Sequence, residues 1–76
     1  MSEHPATIRW MRESPDFAYD TYNRAHRWAF DAGIEVAASS APEYGGDEDR
    51  VDPEEAFVAS LSSCHMLTFL ALAARK

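Results

Sequence analysis

The residue best suited to chemistry is Cys64, the single cysteine of the chain, embedded in Leu61-Ser62-Ser63-Cys64-His65-Met66-Leu67. A cysteine attacks as its thiolate, and a thiolate is favoured by positive charge beside it. His65 is next in sequence, but adjacent helical residues do not face each other. Arg24 and Arg27, which flank His26 in Tyr22-Asn23-Arg24-Ala25-His26-Arg27-Trp28, are better sources of that charge. Each also suits plain solvation of a sheet face. An isolated cysteine, likewise, is most often a small buried hydrophobe. Glu54 and Glu55 stand where acids ordinarily stabilise a helix N-terminus. Tyr19, Tyr22, Trp28 and Phe57 have the character of core or interface aromatics. Metal chemistry is disfavoured: a Cys64–His65 pair finds further nitrogen ligands only in the distant His4 and His26.

The elements that must position these groups follow from pattern. Residues 1–5 read as a loose leader. Ala6 to Glu13 alternates Ile8 and Trp10 against Arg9, the period of a half-buried strand. Ser14-Pro15-Asp16 makes a turn. Phe17 to Asn23 reads as a second extended segment and Arg24 to Phe30 as a strand, with Arg24 and His26 on one face and Arg27 on the other. Asp31-Ala32-Gly33 is the turn of a hairpin into Ile34 to Ala37. Residues 38–51, rich in Pro, Gly and acid, read as an exposed loop. Asp52-Pro53-Glu54-Glu55 then combines an N-cap acid, a first-turn proline and an acidic capping box, the strongest boundary signal in the chain. A helix over 52–76 follows. Strands before helix indicate an α+β fold.

Composition bounds the function. With 7 Lys+Arg against 13 Asp+Glu the net charge is −6, which argues against nucleic acid and anionic membranes as partners. Hydrophobic residues at 46% and aromatics at 12% are too abundant for a disordered chain. One cysteine permits no internal disulfide. The opening, Met1 to Thr7, is polar with Pro5 and carries no signal-peptide pattern, so the expected location is the reducing cytoplasm. The helix is apolar on nearly every face from Leu61 to Ala74, which calls for burial all round. That run of about 14 residues is short of the ~20 needed to span a bilayer, which indicates a core helix. A chain this small buries only ~60% of its unfolded surface. It is therefore expected to be the front part of a longer protein or to fold against a partner.

The stretch Asp52-Pro53-Glu54-Glu55-Ala56-Phe57-Val58-Ala59-Ser60-Leu61-Ser62-Ser63-Cys64-His65-Met66-Leu67 resembles the cysteine-helix motif of the OsmC/organic hydroperoxide reductase family. Tyr22-Asn23-Arg24-Ala25-His26, with Phe30-Asp31-Ala32-Gly33, resembles the strand region upstream of it. The resemblance covers most of the chain but only the N-terminal half of the family's usual length. It implies a half-domain of an α+β, peroxiredoxin-like fold that works as an intertwined homodimer: antiparallel strands, then a long buried cysteine-bearing helix. It also implies an oxidoreductase of the oxidative stress response that reduces organic hydroperoxides and has no bound cofactor. Cys64 matches the peroxidatic cysteine, and Arg24 and Glu54 match the pair that holds its thiolate; a one-residue gap would move the arginine to Arg27. The family's second, resolving cysteine has no counterpart here, so an external thiol such as a dithiol is required. On a straight helix Glu54 and Cys64 are ~15 Å apart. Either the helix breaks near Ser60 to Ser63 or the glutamate comes from the other subunit; the second is favoured, because an all-round apolar helix already needs a partner. The alternative from another class is a non-catalytic half-domain that assembles through this helix.

Overall fold

The structure is a computed structural model that describes residues 3–76. Met1 and Ser2, the start of the expected leader, lie outside the described residues. Three strands, β1 (Ala6–Arg9), β2 (His26–Phe30) and β3 (Glu35–Ala38), form an antiparallel sheet in the order β1-β2-β3. One α-helix among the described residues, α1 (Pro53–Ala74), follows. The α+β architecture is the expected one.

The sheet is two-faced because side chains alternate along each strand. Ile8 pairs with Trp28, and Trp28 with Val36, on the apolar face. Arg9 pairs with Arg27 on the polar face, where Arg27 Nη1 lies 3.6 Å from Glu35 Oε1. The β2–β3 turn falls at Asp31–Gly33 as expected, although Ala32 adopts a left-handed φ of 67° beside Gly33 at 76°.

The strand expectations need trimming. β1 stops at Arg9 and not at Glu13, because the chain beyond it turns its backbone towards Asn23: the Glu13 N–H donates to Asn23 Oδ1 at 2.8 Å, and Asn23 Nδ2 donates to the Met11 carbonyl at 2.9 Å. Phe17 to Asn23 is no strand. Its backbone turns on bonds from Thr21 and Tyr22 N–H to the Ala18 carbonyl, and its aromatic side chains pack locally. Arg24 therefore precedes β2 instead of lying within it.

The 38–51 segment is less exposed than its composition suggests. Ala38 and Ser39 are fully buried and Ala41 nearly so. Ala38 bridges to Val51 in parallel, with Ser39 N–H to the Val51 carbonyl at 2.9 Å and Val51 N–H to the Ala37 carbonyl at 3.1 Å. The segment thus leaves β3, loops out and returns to its edge, which pins the start of α1. Ser39 Oγ accepts from the Asp47 N–H at 3.1 Å, so the buried hydroxyl is satisfied. Gly46 fits only because it has no side chain: a Cβ there would sit 1.6 Å from the Ser40 carbonyl oxygen.

At the helix start both halves of the capping box are present, Glu55 N–H to Asp52 Oδ1 at 2.8 Å and Asp52 N–H to Glu55 Oε1 at 3.2 Å. Asp52 is 8% exposed. The helix runs unbroken to Ala74, so the break near Ser60 to Ser63, the less favoured of the two alternatives, does not occur.

The burial expected of the helix is not supplied by this chain alone. No residue of α1 is buried, and Phe57, Leu61, Met66, Leu67, Phe69, Leu70 and Leu72 are each more than half exposed. Three short strands have too little area to wrap 22 residues of helix, and the molecule measures 59 × 27 × 17 Å. Its accessible surface is 6483 Å². A folded monomer of this mass exposes about 4,700 Å², so roughly 1,800 Å² is in excess. By length and composition α1 also suits a membrane crossing, because Ala56 to Ala59 extend the apolar run beyond the stretch counted from Leu61.

Asp52→Ala is expected to lower the stability of the assembled protein by about 1 kcal/mol through loss of the cap, read as a shift in the chemical-denaturation midpoint. Gly46→Ala is expected to cost more, about 3 kcal/mol, because the Ser40 backbone must move.

Candidate functional site

Arg24 is held from both ends. Its Nη1 donates to the Tyr22 carbonyl and its Nη2 to the Tyr19 carbonyl, both at 2.7 Å. The guanidinium carbon lies 3.8 Å from the centre of the Tyr22 ring and 5.0 Å from that of Tyr19. Such cation–π contacts contribute about 0.5–2 kcal/mol and favour the flat, delocalised guanidinium. Gly45 packs close on the other side, where a Cβ would meet Arg24 Cζ and Nε at 3.4 Å.

The Arg24 backbone is fixed as well. His26 Nδ1–H donates to the Arg24 carbonyl at 2.7 Å, and Trp28 Nε1–H donates to His26 Nε2 at 3.0 Å. The tautomer follows from the partners. An indole N–H only donates, so Nε2 must accept, and a carbonyl only accepts, so Nδ1 carries the hydrogen. Among the described residues no carboxylate pairs with Arg24. It is a positioned cation whose charge is uncompensated.

This cation borders an apolar cavity of about 460 Å³ lined by Ile8, Trp10, Phe17, Tyr22, Arg24 and Pro53, among others. Trp10, Phe17 and Tyr22 build one wall as a ring cluster, with centroids 5.2–6.4 Å apart. Asn23 ties the cluster together: it bonds the 11–13 backbone as described above, and its carbonyl accepts from Trp10 Nε1 at 2.8 Å. The sequence reading missed Asn23. The available signal was a polar amide between Tyr22 and Arg24 in an otherwise aromatic stretch, a residue with four hydrogen-bonding sites to satisfy.

The three sequence-derived site residues are only partly brought together. Pro53 lines the cavity, so the helix start that carries Glu54 lies at its edge. Glu54 and Cys64 are ten residues apart on one continuous helix, hence ~15 Å. Cys64 is exposed and does not line the cavity. Arg27 does not line it either; it is on the opposite face of the sheet, beside Glu35. Among the described residues no group of His, Cys, Asp and Glu is arranged to hold a metal.

No protein-family model matches the chain, and neither does any curated protein. Among solved structures, the chain is similar to an OsmC-like protein of unknown function from Vibrio cholerae O1 biovar eltor, with 51% sequence identity and a TM-score of 0.91. The similarity covers 99% of this chain and 52% of that one, so the chain spans about half the length of its relative.

Asn23→Ala is expected to release the 10–13 segment from the Arg24 platform. Hydrogen exchange at the Glu13 amide should rise severalfold, since a hydrogen bond of this kind is worth about 1 kcal/mol.

Proposed function

Because the chain belongs to the OsmC-like family, we propose that it serves as the Arg24- and Glu54-bearing half of a thiol-dependent hydroperoxide reductase whose complete site joins two copies of the polypeptide. The observation that carries this reading is the uncompensated, rigidly held Arg24 at an aromatic cavity beside the start of the helix that bears Cys64. Within one copy Cys64 is out of reach of that cavity. A second copy laid along the bare helix would bring its own Arg24 and Glu54 to the thiol. The excess surface of roughly 1,800 Å² per copy matches the large, apolar interfaces of obligate dimers.

In the proposed site the Arg24 guanidinium favours the thiolate, and Glu54 orients that guanidinium by a bidentate carboxylate–fork pairing. The Cys64 thiolate attacks one peroxide oxygen and the O–O bond breaks. Sulfur is oxidised to the sulfenic acid, and the leaving alkoxide takes a proton to become the alcohol, its developing charge stabilised by Arg24. No second cysteine exists in this chain. An external dithiol therefore attacks the sulfenic acid, water leaves, and the second thiol of that reductant displaces Cys64. The apolar wall of Ile8, Trp10 and Phe17 suits a hydroperoxide with an alkyl or aryl body. This cycle requires a reducing compartment such as the cytoplasm.

The bare helix also favours a second reading, a non-catalytic half-domain that assembles through α1. Subunit mixing separates the two. Cys64→Ser and Arg24→Gln are each expected to abolish consumption of cumene hydroperoxide with dithiothreitol. Refolding the two variants together should restore about a quarter of wild-type activity, because half the random dimers carry one intact site of two. No recovery beside an active wild type would place the arginine and cysteine in the same copy, and an inactive wild type would exclude the enzymatic reading and leave the assembly role alone.

A further inference from the structure

A second cavity, of about 340 Å³, lies past the ends of β1 and β2 and is lined by Arg9, Arg27 and Arg50 together with Glu13, Trp10 and Met11. Neither Arg24 nor Pro53 borders it, so it is separate from the cavity described above, with which it shares a wall at Trp10, Asn23 and His26. Three of the seven cationic side chains of a chain with net charge −6 converge there. Their arrangement is costly without a ligand. Arg9 and Arg27 are direct cross-strand partners, and like charges directly opposite one another destabilise a strand pair. Arg9 has no ion pair among the described residues, and the contact of Arg27 with Glu35, at 3.6 Å, is largely exposed and hence weak. Arg50 is the fixed member. Its Nη1 donates to the His26 carbonyl at 3.1 Å, its Nε lies 3.5 Å from Asp47 Oδ2, and its side chain is 26% exposed.

We propose that this cavity binds a small molecule through a phosphate group. Guanidinium forks recognise oxyanions by paired hydrogen bonds. Three forks converging from β1, β2 and the 38–51 segment match the three terminal oxygens of a phosphate monoester, whereas a carboxylate offers two. The cavity exceeds the size of a bare phosphate, and Trp10 and Met11 supply apolar wall for the organic remainder. A nucleic-acid backbone is not the partner, because the rest of the surface is acidic and offers no basic track for successive phosphates. Glu13 is the opposing charge in the lining and limits affinity.

The test is a titration of inorganic phosphate into the full, assembled chain at ionic strength held constant with sodium chloride, followed by the arginine Nε–H and backbone amide resonances. Saturable shifts confined to the Arg9, Arg27 and Arg50 neighbourhood are expected. Arg9→Gln, at an exposed strand position, should weaken binding about tenfold or more, the usual loss for a charged hydrogen-bond pair. Glu13→Gln should tighten it severalfold, a gain that general destabilisation would not produce. Arg12→Gln, outside the cavity, should leave it unchanged. Shifts that do not saturate, that chloride alone reproduces, or that survive Arg9→Gln at full affinity would overturn the proposal. Benzoate binding as tightly as phosphate would overturn the phosphate assignment. None of these readouts depends on peroxide turnover, so their outcome is independent of the activity proposed above.

Discussion

A helix of 22 residues with apolar side chains on every face cannot remain in water, and the rest of this molecule is organised around that constraint. Covering Phe57, Leu61, Met66, Leu67, Phe69, Leu70 and Leu72 from their present exposure is worth on the order of 10 kcal/mol. That figure is an upper estimate, yet it rivals the whole stability of an ordinary domain. The three-stranded sheet cannot supply the cover, and its own apolar face leaves Ile8 and Phe30 exposed. Both unmet faces require further polypeptide. In keeping with that requirement, the chain spans only half of its OsmC-like relative.

The direction in which the helix leaves the sheet is set by a small amount of buried backbone. Val51 returns to the edge of β3, Ser39 satisfies the Asp47 amide from a buried position, and Gly46 passes against Ser40 with no room for a methyl group. Asp52 then closes the capping box while itself nearly buried. These contacts place Pro53 against the aromatic cavity. The start of α1 and Arg24 consequently border the same cavity, although 28 residues of chain lie between Arg24 and Pro53.

Within that frame, Arg24 gains its character from preorganisation. Two backbone carbonyls, two tyrosine rings and the Trp28–His26 relay fix its position, and among the described residues no carboxylate pairs with it. The continuous helix does the opposite for Cys64, carrying it ~15 Å away from Glu54. One helix therefore separates within a copy the groups that a paired arrangement could reunite between copies. Arg9 and Arg27, on β1 and β2, line a different cavity, so cations close in sequence serve distinct surroundings.

The α+β order, the hairpin at Asp31–Gly33 and the helix start at Asp52 were all legible in the sequence. Alternation, glycine and capping chemistry act over a few residues and leave local signatures. The residues around Cys64 and the Tyr22-Asn23-Arg24-Ala25-His26 stretch pointed to the OsmC-like family by type and spacing. What only the tertiary structure decided was non-local. Phe17 to Asn23 folded into an aromatic platform instead of a strand, because Asn23 bonds the 11–13 backbone across the chain. Ser39 and Ala41 became buried inside a segment of loop composition, because that segment folds back on itself: the Val51 carbonyl accepts from the Ser39 N–H, and the Ala41 carbonyl accepts from the Tyr44 and Gly46 N–H groups. Arg24, the better match by sequence, and Arg27, its neighbour in case of a one-residue gap, were sent to different cavities. Each of these outcomes depends on contacts between residues far apart in the chain, whose partners become known only once the backbone has returned on itself.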